Sequence, residues 1–292
     1  MTVTLVLILA AALLAGAPGA GVSPDSPSEG AVVAIGGGGI PDSIRARIFA
    51  LAGGSDAPIL VIPFASERAE AGDEGVAAWR EAGGTRVEKI ASDPTEARAQ
   101  LGRAKVLWFG GGDQNRLMHT LDAMELVAVI RTRHRSGAVL AGTSAGAAVM
   151  SRLMLTGEAN LEAVLPGATQ LAAGLGAWPG AIVDQHFLAR RRMNRLIAAV
   201  LDHPGEVGVG IDERTAAIWS AGAIEVVGDG QVMVIDARAA RCEAAAAGRP
   251  HAARDLRLHI LRAGDPPWPL PVVEHSHPQK DPPPAVERRA SL

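Results

Sequence analysis

Short apolar runs alternate along this chain with longer stretches whose apolar positions recur at helical spacing. Ala31–Ile35 is the first run, and it ends in Gly36-Gly37-Gly38-Gly39. Ile59–Pro63, Arg86–Ile90, Lys105–Phe109 and Ala138–Ala141 follow, all of strand length. Between them, amphipathic spacing predicts helices from Asp42 to Leu51, from Asp73 to Ala82 and from Asp122 to His134. Another helix starts near Pro94, with Asp93 as its cap. Strands alternating with helices in this way predict an α/β fold built on a doubly wound, mostly parallel sheet with helices on both faces.

The rhythm changes in the second half. Ala181–Val183 and a helix from about Leu188 to Asp202 still fit the α/β pattern. Beyond them the chain is β-rich, with strands at Val207–Ile211, Ala216–Ser220, Ile224–Val227 and Val232–Ile235. Gly228-Asp229-Gly230 predicts a hairpin turn between the last two. Residues 31–265 are expected to form a single domain.

Both ends differ from this pattern. Leu5 to Ala15 is an apolar run too short to span a bilayer, followed by small residues and an A-x-A site, Ala15-Gly16-Ala17. Residues 1–20 are therefore expected to be a signal peptide, although no Lys or Arg precedes the run, and 21–30 a linker. Export to the periplasm or the cell exterior follows; without a working signal the protein would be cytoplasmic. Residues 266–292, dense in Pro and charge, are expected to be disordered.

Composition narrows the chemistry. With 292 residues, 48% of them apolar, the chain can bury a full core. A net charge of −3 argues against a nucleic-acid partner. There is no Tyr to act as a general acid. Cys242 is the only cysteine, which excludes an internal disulfide and a multi-cysteine zinc site; its Ala-rich surroundings predict a packing role.

The strand ends carry the candidate chemistry. Gly142-Thr143-Ser144-Ala145-Gly146, between a strand and small helix formers, reads as a nucleophile elbow. Its turn is tight enough to demand Gly or very small neighbours, and it leaves the Ala145 N–H free for an oxyanion. Taken alone the pattern also fits an ordinary serine in a glycine-rich turn. Gly36–Gly39 lacks the spacing of a dinucleotide loop and reads as tight packing near the cleft. In Gly110-Gly111-Gly112-Asp113-Gln114 the glycines let backbone approach a ligand, and Asp113 is also placed to cap a helix.

His186, in Asp184-Gln185-His186-Phe187, is the strongest candidate for a general base. Asp212 and Glu213 offer two carboxylates, either of which would suit an imidazole. The order Ser144, His186, acid argues against an α/β-hydrolase, whose acid precedes its histidine. Helical phase puts Arg190 within the apolar arc of Met193, Leu196, Ile197, Val200 and Leu201, Arg192 at its border, and Arg191 and Arg195 opposite, facing solvent.

Together, G-G-G-D-Q (110–114), G-T-S-A-G-A (142–147), D-Q-H-F with R-x-R-x-x-R-L (184–196) and G-I-D-E-x-T-A (210–216) resemble the cyanophycinase group of the S51 serine peptidases, relatives of aspartyl dipeptidase E. The resemblance covers roughly residues 31–236. It implies a fold like class I glutamine amidotransferases (flavodoxin-like), a homodimer, and a Ser144–His186–Glu213 triad. It implies an oxyanion hole of Ala145 and the 110–112 loop, Gly112 in particular, and no metal or cofactor. It also places Gln114, Asp184, Gln185, Arg190, Arg192 and Arg195 in a substrate pocket, in conflict with the helical phase of Arg195. The implied substrate is cyanophycin, a polyaspartate with arginine on each β-carboxyl, cleaved to β-Asp-Arg dipeptides; Asp113 or Asp184 would meet its arginines. Short aspartyl peptides as substrate, or a non-catalytic binding protein of the same fold, are the alternatives.

Overall fold

Five parallel strands make up more than half of a large sheet, and the buried runs of four of them explain why those four lie inside it. The computed structural model describes residues 29–159, 162–243 and 249–270. The expected signal peptide lies outside these residues, as does the tail beyond Leu270. In chain order the first half runs β1 (Val32–Ile35), α1 (Asp42–Ala52), β2 (Ile59–Ile62), α2 (Ala71–Glu81), β3 (Val87–Lys89), α3 (Pro94–Arg103), β4 (Val106–Phe109), α4 (Gln114–Ala123), α5 (Val127–Arg135), β5 (Val139–Thr143) and α6 (Ala145–Ala148). Pro94 opens α3, and the Asp93 carboxylate accepts the Glu96 N–H at 2.9 Å, a conventional cap.

The second half runs β6 (Leu153–Ala159), β7 (Thr169–Ala173), β8 (Ala181–Asp184), α7 (Met193–Asp202), β9 (Val207–Ile211), β10 (Thr215–Ser220), β11 (Ala223–Gly228), β12 (Gln231–Asp236), β13 (Arg241–Cys242), β14 (Ala253–Arg254), β15 (Arg257–Arg262) and β16 (Trp268–Pro269). The large sheet has the order β16-β11-β10-β1-β5-β4-β2-β3. Strands β1 to β5 pair in parallel, while β10, β11 and β16 add on antiparallel. A second sheet, β15-β12-β9-β8, carries the β-rich part.

Helices cover both faces of the large sheet. Ile44 and Ile48 of α1 and Trp79 of α2 pack on one face with Val33, Val61 and Trp108. Leu101, Leu117 and Ile130 pack on the other with Leu60, Leu107 and Leu140. Each such fully buried side chain contributes about 1.5–3 kcal/mol. Val183, Val209 and Ile211 of the second sheet join that second core, and the opposite face of the sheet meets α7 through Leu196, Ala199 and Val200.

Several expectations are corrected. The helix expected from Asp122 to His134 is two helices, because Glu125 takes a φ of +55° and Leu126 turns into the core. Gly228-Asp229-Gly230 is not a hairpin turn. It carries the chain from one sheet to the other, held by Asp229 N–H to Arg214 O and Gly230 N–H to Thr215 Oγ1. Residues 266–270 belong to the fold rather than to a disordered tail: Trp268 and Pro269 pair with Ile224 and Ala223, and Leu270 is buried. Cys242 is exposed, since its two-residue strand belongs to a small ribbon outside the cores. Among the described residues no helix is long and apolar enough to cross a membrane.

Candidate active site

Strand β5 ends in Thr143, and the next residue, Ser144, takes φ 54° and ψ −114°, a backbone region that costs about 1–3 kcal/mol for a non-glycine residue. That turn needs both its glycines. A β-carbon on Gly142 would lie 2.3 Å from Gly146 O, and one on Gly146 would lie 2.2 Å from Phe109 O. The strain lifts Ser144 from the sheet at the carboxyl ends of the parallel strands.

His186 follows β8 and also has positive φ, at 47°. Its Nε2 lies 3.0 Å from Ser144 Oγ and its Nδ1 2.6 Å from Glu213 Oε1. A carboxylate only accepts, so Nδ1 carries the proton and the Nε2 lone pair faces the serine hydroxyl. The other carboxylate is occupied elsewhere, because Asp212 Oδ1 accepts the Leu188 N–H at 3.0 Å. Both residues lie in the turn that follows the strand Val207–Ile211, and there Glu213 has the histidine's side. A serine, imidazole and carboxylate in this line can transfer a proton from hydroxyl to imidazole while the carboxylate stabilises the resulting cation.

The glycines after β1 brace this line. Gly36 O accepts the His186 N–H at 2.7 Å, and Gly37 O accepts the Arg214 N–H at 2.7 Å. A β-carbon on Gly37 would strike the His186 ring, and one on Gly38 would lie 2.6 Å from Glu213 Cβ. The reading of Gly36–Gly39 as tight packing near the cleft is thus correct. What it missed was the object packed against, and the only sequence signal was the glycine run itself.

Gly111 flanks the serine from the loop after β4, and Gly112 packs against Ala65. A β-carbon on Gly111 would sit 3.4 Å from Ser144 Cβ. Gly110 and Asp113 tie the loop down by donating N–H bonds to Ile62 O and Ala65 O. The N–H groups of Gly111 and Gly112 have no backbone acceptor among the described residues. Ala145 opens α6 beside them, so its N–H stands at a helix start.

Asp113 caps α4, its Oδ1 accepting the Asn115 N–H at 2.7 Å and the Arg116 N–H at 3.2 Å. Gln114 is buried and donates from Nε2 to Leu155 O at 2.8 Å, which anchors β6.

Asp184, Gln185, Arg192 and Arg195 come together beside His186. Arg195 Nε donates to Asp184 Oδ2 at 2.7 Å and its Nη2 to Oδ1, with both side chains buried. Arg192 Nη1 donates to Gln185 O at 2.6 Å and to Gln185 Oε1 at 2.8 Å, and lies 3.6 Å from Asp184 Oδ1. Arg190 is exposed on the turn, its N–H donating to His186 O. The reading from helical phase therefore fails for Arg190 and Arg195. Arg191, at φ 53°, sits in the turn before α7, so Arg190 has no place on the wheel of a helix that begins only at Met193. Arg195 does lie on α7, opposite the apolar arc, but that face is covered too, and Arg195 is buried there against Asp184. Asp184 is fully engaged with Arg195 and does not present a carboxylate to a substrate.

Two guanidiniums, Arg192 and Arg195, share the Asp184 carboxylate, and the charge of Arg190 reaches Arg192 from the turn. Burial, reinforced by the charges of Arg195 and Arg190, lowers Arg192 to about 10 despite Asp184. A cation held down in this way gains from a further anion, and a guanidinium fork suits a carboxylate. Among the described residues no group of three or more His, Cys, Asp or Glu is placed to hold a metal ion.

The sequence profile of peptidase family S51 matches residues 32–227. A cyanophycinase from Trichormus variabilis is 38% identical over 249 residues, which covers 78% of this chain and 82% of that protein. One from Geminocystis herdmanii is 38% identical over 245 residues, covering 78% and 90%. Among solved structures, a peptidase from an acI-B1 actinobacterium superposes with a TM-score of 0.58 at 24% identity, covering 82% of this chain and 97% of that one. A peptidase E-like protein from Listeria monocytogenes gives 0.50 at 15% identity, covering 70% and 100%. Both structures share the α/β fold.

Proposed function

This chain belongs to peptidase family S51 and is a serine-type peptidase, and from that premise we propose that it hydrolyses cyanophycin to β-Asp-Arg dipeptides. The observation that carries the reading is the unbroken line from Ser144 Oγ through the His186 ring to Glu213 Oε1. In this mechanism Ser144 attacks a backbone carbonyl of the polymer while His186 takes its proton. The N–H groups of Ala145 and Gly112 hold the oxyanion. His186 then passes the proton to the departing amine, an acyl-enzyme remains, and water attacks it by the same route. Arg190 and Arg192, with Gln185, receive a carboxylate of the acyl-side unit; Asp184 and Arg195 hold Arg192 from behind, and Gln114 lines the same pocket.

The 38% identity to several cyanophycinases supports the substrate, and the surplus of positive charge beside His186 suits one rich in carboxylates. In the same reading the fold is of the class I glutamine amidotransferase type, supported by an elbow serine at the end of a central parallel strand. The apolar run from Leu5 to Ala15 is a signal peptide that exports a homodimer. Incubating purified protein with insoluble cyanophycin, and identifying the released fragments by mass spectrometry, tests the activity. Release of β-Asp-Arg is expected; an inert polymer alongside cleaved Asp-X dipeptides would overturn the substrate. N-terminal sequencing of protein recovered outside the cytoplasm tests export, and sedimentation tests the dimer.

A further inference from the structure

A second recess opens on the other side of the nucleophile. It has a volume of about 330 Å³, within the range of small-molecule sites, and lies under α2 at the carboxyl ends of β2 and β4. Its wall includes Gly110 and Gly111, and Gly111 is the residue whose β-carbon would touch Ser144. Ile40, directly after the glycines that brace His186, closes another side. The recess therefore begins one residue from the serine.

Position separates it from the arginine cluster. Its floor residues Val61, Trp79 and Trp108 belong to the core on one face of the large sheet. Val183 and Ile211, which flank Asp184 and Asp212, belong to the core on the opposite face. Ser144 stands between the two at the sheet edge. An extended chain crossing the serine engages the cluster with one side of its scissile bond and the recess with the other.

The lining states what the recess accepts. Trp79 and Trp108 meet edge to face, with centroids 5.1 Å apart, and close its base, both being buried in the core beneath. At the mouth stand Arg45, Arg68 and Glu74, with Arg68 Nη2 paired to Glu74 Oε1. The mouth thus carries guanidinium and carboxylate together over an apolar wall. An arginine attached through its α-amino group presents the complement: an aliphatic stem, a guanidinium and a free carboxylate. Its guanidinium can pair with Glu74, its aliphatic stem can lie against the apolar wall, and its carboxylate can pair with Arg68 or Arg45.

We infer that this recess is the leaving-side subsite and binds the arginine branch of the residue that follows the scissile bond. The inference rests on the substrate reading above and adds the second contact that a branched polymer requires.

Two soluble oligomers with the same acyl-side unit test it, one releasing an arginine-branched aspartate and the other a bare aspartate. Both form the same acyl-enzyme, so a merely structural defect slows both alike. Wild-type protein is expected to favour the branched leaving unit by about tenfold in kcat/KM. Glu74→Gln and Arg68→Gln should each remove most of that preference. No preference in the wild type, or a preference kept in both variants, overturns the inference. Wild-type protein that cleaves neither oligomer overturns the substrate reading, and the subsite with it, so the two failures are distinguishable.

Discussion

Gly37 and His186 are in contact, backbone against imidazole: a β-carbon on Gly37 would lie 2.2 Å from the ring's Cε1 and 2.4 Å from Nε2. The loop cannot retreat from the ring, because the same segment accepts the His186 N–H through Gly36 O. A backbone loop from the first strand thereby sets the position of an imidazole that enters the chain some 150 residues later.

Gly37→Ala should therefore cut kcat by about 100-fold or more, since a displacement near 1 Å at a reacting group has that effect. Gly39→Ala is the control. It has a similar positive φ, but its β-carbon would meet only Arg214 Nη1, at 3.6 Å. Steady-state kinetics on cyanophycin should separate the two, with comparable losses in thermal stability; equal kinetics would refute the bracing role.

Glu213→Gln should lower kcat by about 10⁴, the scale of losing the correct imidazole tautomer in a triad. Asp212→Asn should cost less than about tenfold, because Asp212 accepts a backbone N–H rather than facing the ring. The reverse order in a side-by-side assay would mean that the acid is Asp212.

Ser144→Ala should reduce turnover by about 10³ or more and abolish any covalent intermediate seen by mass spectrometry. Its circular dichroism should match that of the wild type. Hydrolysis near the normal rate by the folded variant would remove Ser144 from the mechanism.

Asp184→Asn leaves the buried Arg195 without its anion and should cost about 3–5 kcal/mol in urea unfolding. Asp184→Leu combined with Arg195→Met should recover part of that stability, because the Arg195 charge is removed together with its partner, although Arg192 still loses its anion. KM for cyanophycin should stay raised in the double variant, since Arg192 loses its neighbouring carboxylate. A normal KM there would make the pair purely structural.

Some of this molecule is dictated by short stretches of chain. The alternation of apolar runs and amphipathic segments determined the parallel strands and most of the helices, because each strand's burial follows from its own residues. The Asp93 cap and the Gly142–Gly146 elbow are equally local: their geometry is set within a few positions, and only small residues fit the turn around Ser144. The arrangement of motifs likewise allowed His186 to be singled out, since strand ends line the cleft in such sheets.

Other features depend on partners remote in sequence, and those the tertiary structure alone decided. The sequence offers Asp212 and Glu213 side by side, but which one faces the histidine depends on how the turn after β9 lies against the loop after β1. The arginines were misassigned for a related reason. Arg190 lies in the turn at 188–192, held by Phe187, Leu188 and Asp212, where helical phase has no meaning. Arg195 has the expected phase but a buried partner, Asp184, which the sequence pattern does not show. Gly228-Asp229-Gly230 has the composition of a hairpin, yet its flanking strands find better partners in two different sheets. Local residues fix which conformations a segment can adopt; packing against distant segments selects among them, and the contact between Gly37 and His186 exists only after that selection.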